Sequence, residues 1–112
     1  MAYSTDSFFI NKNTQWENCG SGISRQFIGY NTQLMVVKVR FEKGAIGTLH
    51  AHFHTQGTYV ASGKFKITID GKEEILETGD GFFVQPNKEH GAECLEAGML
   101  IDSFSPIRED FL

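Results

Sequence analysis

Residues 64–70 alternate strictly. Phe65, Ile67 and Ile69 fall on one face of an extended chain, and Lys64, Lys66, Thr68 and Asp70 on the other. That pattern predicts a strand with one face in a core and one in water. Asp70-Gly71 then supplies residues that tolerate the positive φ angles of a tight hairpin, so 72–77 reads as the returning strand. Comparable runs bounded by Gly, Asn or Asp predict further strands at 24–30, 34–41, 48–54, 57–62, 81–84, 91–95 and 99–104. No segment holds the i, i+3, i+4 apolar spacing over three helical turns. The expectation is an all-β chain whose short, evenly spaced strands close into a barrel or sandwich. Residues 1–23 are less regular and are expected to form an N-terminal strand or an arm over the barrel or an adjacent subunit.

At 112 residues the chain has the size of a single domain, with a core expected at about 34–104. Hydrophobic residues at 40% and charged residues at 21% are ordinary for a globular protein, and ten Phe with twelve Gly suit aromatic packing between many turns. The formal charge of −4 and the scattered Lys and Arg give no basic footprint, so nucleic acid is not an expected partner. The first twenty residues lack a basic start and a long apolar run, and no later stretch approaches a membrane span, which predicts a soluble, cytoplasmic protein with no membrane partner. Cys19 and Cys94 form no CxxC and are expected as reduced thiols. Cys94, beside Leu95, reads as a small buried hydrophobe rather than an extra ligand. Small barrels leave edges and apolar faces uncovered, so a homodimer is expected.

Three of the four histidines fall in Leu49-His50-Ala51-His52-Phe53-His54-Thr55-Gln56. Residues two apart on a strand share a face, so His50, His52, His54 and Gln56 start on one side. They cannot all reach one ion from a straight strand. Six steps of about 3.3 Å span roughly 20 Å, whereas metal–nitrogen bonds are about 2 Å. The strand must bend or break, and a further ligand must come from elsewhere. His90, after the turn-forming Gln85-Pro86-Asn87-Lys88-Glu89, is the available imidazole. The plain alternative is a polar surface stripe, and His54 taken alone keeps that reading.

These residues resemble the cupin superfamily. Its first motif, a Gly, then HxH, an acidic residue and a second Gly, is matched by Gly44, His50, His52, Gln56 and Gly63, with only the acidic position departing. Gly79-Asp80, Pro86 and His90 resemble the second motif, with one extra residue before Pro86 and no Asn at its end. The resemblance implies a single-domain cupin, a double-stranded β-helix or jelly-roll barrel. It also implies one divalent transition metal held by His50, His52, Gln56 and His90, with His54 excluded. Three neutral imidazoles and a neutral amide leave the ion's charge uncompensated, so the site should favour an anionic ligand such as a carboxylate. Imidazole-rich sites suit nickel, zinc, iron or copper.

Near the C-terminus, Met99-Leu100-Ile101-Asp102-Ser103-Phe104 places Leu100, Asp102 and Phe104 on one face. If that face lines the barrel, burial should raise the Asp102 pKa toward a value useful for acid–base chemistry; if it points to water, Asp102 is an ordinary surface carboxylate. Arg108 follows in a short loop, suited either to bidentate carboxylate capture or to a surface salt bridge with Glu109 or Asp110. With the segments DSFSPIREDFL and RFEKGA at 102–112 and 40–45, the chain resembles the KdgF family of uronate-processing cupins. That resemblance implies conversion of 4,5-unsaturated monouronates from pectin or alginate into linear 4-deoxy-5-ketouronates. It assigns Asp102 as the acid–base group, Phe104 as the substrate-packing aromatic, and Arg108 as a catalytic and substrate-binding residue. The alternatives are a non-catalytic carbohydrate-binding or sensing cupin, a metal-dependent dioxygenase, and a storage barrel.

Overall fold

The computed structural model describes residues 3–112; residues 1 and 2 of the expected N-terminal arm lie outside the described residues. Eight strands follow in order: β1 (Glu17–Gly20), β2 (Ile23–Tyr30), β3 (Met35–Phe41), β4 (Ile46–His50), β5 (Thr55–Ile69), β6 (Lys72–Glu77), β7 (Gly81–Val84) and β8 (His90–Ser105). Short 3-10 turns at Asn11–Asn13 and Glu109–Phe111 complete the described chain. Among the described residues no helix is long and apolar enough to cross a membrane.

All pairings are antiparallel, and the long strands β5 and β8 organise them. The first half of β8 runs between β4 and the second half of β5, with Ile46 opposite Glu93 and Phe65 opposite Cys94. Its second half runs between β3 and the first half of β5, so Asp102 lies opposite both Val37 and Thr58. β1 and β2 extend the sheet beyond β3, while β6 and β7 add to the two halves of β5. Two sheets thus share a pair of long strands that change direction midway, giving the expected jelly-roll barrel.

The change of direction joins strands that the sequence pattern separates. Residues 57–62 and 64–69 belong to one strand, β5, and 91–95 and 99–104 to another, β8, with the expected strand end at Asp70 taken up by the turn. The register slips between Val60 and Phe65, where β5 and β8 almost touch at two glycines. Gly63 has φ +84°, and a Cβ there would stand 2.6 Å from the Glu96 carbonyl oxygen; a Cβ on Gly98 would run into the Ser62 carbonyl oxygen. Only glycine allows this crossing.

The Asp70-Gly71 hairpin forms as expected, with φ of 50° and 82° at its two central residues and Ile69 opposite Lys72. Phe65 and Ile67 are buried in a core cluster with Phe41, Val60, Cys94 and Leu100. On the opposite face Lys64 pairs with Glu77 and Glu96, and Lys66 with Glu73 and Glu93. A second cluster of Met35, Val37, Phe104 and Ile107 fills the other end. The N-terminal segment touches β2: Thr5 exchanges bonds with Tyr30, donating its N–H at 3.0 Å and accepting at its Oγ1 at 2.9 Å.

One expected strand is corrected. Residues 48–54 do not continue as a strand, because β4 stops at His50 and a bend at Phe53 and His54 precedes β5. The reason is a long-range bond: the Asn87 N–H donates to the His52 carbonyl at 2.7 Å, and Asn87 adopts φ 67° to do so. The turn that carries His90 thereby holds the loop that carries His52.

Candidate metal centre

His50 ends β4 directly opposite His90 at the start of β8, His52 reaches in from the bend, and Gln56 points inward from β5. One ring nitrogen from each of His50, His52 and His90 lies within 4.8 Å of the others. Each ring is fixed through its Nδ1. That of His50 lies 2.8 Å from the Thr48 carbonyl, that of His52 3.1 Å from the His54 carbonyl, and that of His90 2.9 Å from the Lys88 carbonyl. A carbonyl only accepts, so these partners assign the proton to Nδ1 and leave Nε2 as a lone pair. Burial lowers the pKa of His52 and of His90, favouring neutral rings.

Gln56 is oriented just as firmly. The Thr58 hydroxyl donates to Asp102 Oδ1 at 2.6 Å, so its oxygen accepts from the Gln56 amide nitrogen at 3.0 Å. The same nitrogen lies 3.4 Å from Asp102 Oδ1. Gln56 Oε1 therefore faces the histidines, 3.1 Å from Nε2 of both His52 and His90. Acceptor faces acceptor, with no hydrogen between them. A cation resolves this repulsion: bonds of about 2.1 Å set neighbouring ligand atoms about 3.0–3.4 Å apart. The donor set thus fits a metal site.

Asp102 lies on the inward face of β8 between the buried Leu100 and Phe104, and retains some surface toward a cavity of about 300 Å³. Burial pushes its carboxyl up to about 6, against the opposing pull of the Thr58 hydrogen bond and the Arg108 charge. The open question about its face is settled in favour of the barrel interior. Arg108 is buried, unlike an ordinary surface cation. Its guanidinium donates through Nε and an amino nitrogen to the two Asp110 oxygens, at 2.9 and 2.7 Å. It also packs 5.1 Å from the Phe104 ring centroid and 4.3 Å from that of Phe111. The salt bridge with Asp110 is real, yet it holds one edge of a buried guanidinium rather than tying down a surface side chain. Burial, followed by the Arg108 charge, also lowers the pKa of His54.

The cavity is lined by His50, Gln56, His90, Asp102, Phe104 and Arg108. His52 joins the cluster from behind that wall, its ring 5.8 Å from Phe104. His54 turns away, 3.2 Å from the Ile107 carbonyl, and Cys94 is buried in the core. The structure adds three side chains that sequence reasoning passed over. Thr58 follows Gln56 at period two on β5, which was the available signal. Arg25 lines the cavity from β2, its amino nitrogen 2.8 Å from Glu17 and 3.3 Å from the Phe111 carbonyl. Phe111 lies 4.3 Å from the Arg25 guanidinium as well as from that of Arg108.

A model of the cupin domain matches residues 37–102 of the chain. The pectin degradation protein KdgF of Dickeya dadantii is 50% identical over 107 residues, covering 94% of this chain and 97% of that protein. The chain belongs to the cupin superfamily and, within it, to the KdgF family. Two solved structures agree along nearly the whole length. An RmlC-like cupin from Shewanella frigidimarina superposes with a TM-score of 0.97 at 46% identity, covering 98% of this chain and 99% of the other. KdgF from Halomonas sp. superposes with a TM-score of 0.92 at 41% identity, covering 96% and 100%. The cupin match ends at Asp102, so Phe104 and Arg108 lie beyond the shared cupin span.

Proposed function

We propose that this cupin is a metal-dependent enzyme of pectin or alginate breakdown that converts 4,5-unsaturated monouronates into linear 4-deoxy-5-ketouronates. The observation that carries the reading is the placement of Asp102. A carboxyl raised to about 6 shares one cavity with a buried guanidinium and a metal-type histidine cluster. The similarity to KdgF proteins of Dickeya dadantii and Halomonas supports the substrate class, and a cavity of about 300 Å³ suits one monosaccharide.

In this reading His50, His52, Gln56 and His90 hold a divalent transition metal such as nickel, zinc or iron. When bound, the ion supplies Lewis-acid stabilisation for charge developing on the sugar's oxygens. Arg108 binds the sugar carboxylate through the guanidinium edge that Asp110 leaves free, and Phe104 forms the apolar wall beside it. Asp102 takes the proton of the C1 hydroxyl as the C1–O5 bond breaks, its electron pair passing to O5. C4 then receives that proton from Asp102 as the enolate becomes the C5 ketone. The reaction is an isomerisation, so no oxidant or co-substrate is consumed. Thr58 and the Gln56 amide hold Oδ1 in place, leaving Oδ2 for the transfer. A positioned acid–base group of this kind contributes about 10²–10⁴-fold in rate.

The reading extends to a cytoplasmic homodimer. Both cysteines are free, as suits a reducing compartment. Tyr59 and Phe83, diagonal neighbours across the β5–β7 pair, are 51% and 57% exposed and offer an apolar face to a second copy. The deciding experiment follows freshly made unsaturated galacturonate by loss of C=C absorbance and by NMR, with a chelated control. Metal-dependent acceleration above spontaneous opening is expected. Saturable binding without acceleration would replace this reading with a carbohydrate-binding role.

A further inference from the structure

His54 belongs to the histidine-rich segment, yet the metal centre does not use it. It is nevertheless buried, at 6% exposure. Its ring stacks on Phe53 with centroids 4.0 Å apart, and its Nε2 lies 3.2 Å from the Ile107 carbonyl oxygen. Because the carbonyl accepts, Nε2 carries the proton and donates. Nδ1 is then a lone pair, and it is buried with no hydrogen-bond partner. An unsatisfied buried acceptor is a net cost to folding. A phenylalanine could stack on Phe53 without that cost. The imidazole differs from it in one useful respect, the bond to Ile107.

That bond joins two parts of the site. Through its backbone, His54 offers the carbonyl that receives the His52 Nδ1–H at 3.1 Å and so fixes the ring of a candidate ligand. Through its side chain it holds the carbonyl of the residue immediately before Arg108. Ile107 is itself buried, and its N–H donates to the Thr32 carbonyl at 3.2 Å. The chain entering Arg108 is therefore held from both sides, by Thr32 at the Ile107 nitrogen and by His54 at its oxygen. The β5–β8 ladder already pairs Thr55 with Ser105 just beyond the bend, and the His54 side chain carries that tie on to the residue next to Arg108.

We propose that His54 is a positioning residue that sets Arg108 relative to the histidine cluster, fixing the distance between the carboxylate anchor and the metal centre. The proposal rests on the carboxylate-binding role of Arg108. It assigns the histidine left outside the metal cluster a structural task within the reaction, without ligation or proton transfer. A carboxylate anchored outside the reacting bonds is held alike in the ground and transition states, so displacing its anchor acts on KM more than on kcat.

Two variants test this. His54→Phe keeps the stack on Phe53 and removes the donor. His54→Gln restores a donor, because the glutamine amide nitrogen stands the same number of bonds from Cα as His Nε2. Both are expected to load metal with wild-type stoichiometry, since the His54 carbonyl is backbone. His54→Phe is expected to raise KM about tenfold with kcat nearly unchanged, and His54→Gln to recover most of that loss. An independent readout is the Arg108 Nε–H NMR signal in metal-free protein, protected in the wild type by its bond to Asp110. Its hydrogen exchange should accelerate in His54→Phe, by about tenfold, and return toward wild type in His54→Gln. An unmoved Arg108 signal in His54→Phe, or equal behaviour of the two variants, overturns the proposal. If the wild type turns over no uronate, the functional reading fails, and the Nε–H measurement still decides the role of His54.

Discussion

Replacing Asp102 with Asn is expected to make the metal-free protein more stable at neutral pH while removing its activity. The magnitude follows from the carboxyl's displacement from 3.8 to about 6. At about 1.4 kcal/mol per pH unit, that displacement corresponds to about 3 kcal/mol of folding free energy. The sign is that of an acid whose folded pKa is raised. Below pH 3.8 Asp102 is protonated in both states and carries no charge penalty, and the penalty grows as pH rises through 6. Asn is neutral throughout and can still accept the Thr58 hydroxyl. The stability of Asp102→Asn relative to wild type should therefore rise by about 3 kcal/mol between pH 3.8 and pH 8, most of it below about pH 6.5. Urea unfolding of both chelated proteins across that range measures it, and the difference cancels every other titrating group. A difference that stays constant with pH, or a variant that loses stability as pH rises, would falsify the account of Asp102 as a carboxylate held charged in the barrel against its burial. Turnover should fall about 10²–10⁴-fold in the same variant with metal content intact. Stability gained where activity is lost marks a group retained for chemistry.

Three further expectations follow from the site. Gln56→Glu adds a negative charge to the cluster and removes the donor to Thr58, so the cation should bind about 10–100-fold more tightly and the uronate KM should rise; calorimetry with a divalent cation and steady-state kinetics read these, and an unchanged KM refutes the argument that an uncompensated cation attracts the carboxylate. Metal removal should lower the unfolding temperature, because Gln56 Oε1 and the imidazole nitrogens then face one another unbridged, and adding free cation at about 100 times its Kd should restore about 2.7 kcal/mol; thermal melts that ignore both chelator and cation contradict the acceptor-facing-acceptor geometry. Phe83→Lys should convert a dimer to a monomer by light scattering while leaving turnover of each chain within about threefold, since Phe83 is exposed and only its neighbour Phe82 lines the cavity; a wild type that is already monomeric removes the dimer from the reading.

The sequence disclosed local pattern well and long-range closure poorly. Phe65, Ile67 and Ile69 were readable as a core face because period-two alternation is a local property, and Asp70-Gly71 because its φ angles concern two residues alone. That the strand must bend or break between His50 and Gln56 was readable from ligand reach, but its stop at His50 was not, since that depends on the bond from Asn87 to the His52 carbonyl, and the two residues lie far apart along the chain. The union of 91–95 with 99–104 was hidden likewise, because Gly98 looks like a turn residue until Gly63 is seen against it. The metal-type cluster was legible because HxH spacing and a later His survive as pattern. Arg25 was not, because an arginine on a strand gives no sign of its face until Glu17 and Phe111 are placed beside it.

What the structure adds is the company these groups keep. The Gln56 oxygen meets lone pairs instead of donors, Asp102 holds a charge against its burial, and His54 leaves a buried nitrogen unpartnered. Each departs from what folding alone would select, and each lies at the cavity or one residue contact behind it. The opposite arrangement holds around Phe65, where Phe41, Val60, Cys94 and Leu100 close an apolar cluster with no ionisable side chain other than a thiol whose pKa burial has raised. A barrel built only for stability has no reason to gather its polar exceptions at one cavity wall beside Phe41 and Leu100 of that same cluster. One that must bind a cation, an anion and a mobile proton together has to place all three where the hydrophobic packing of the other end can offset their cost.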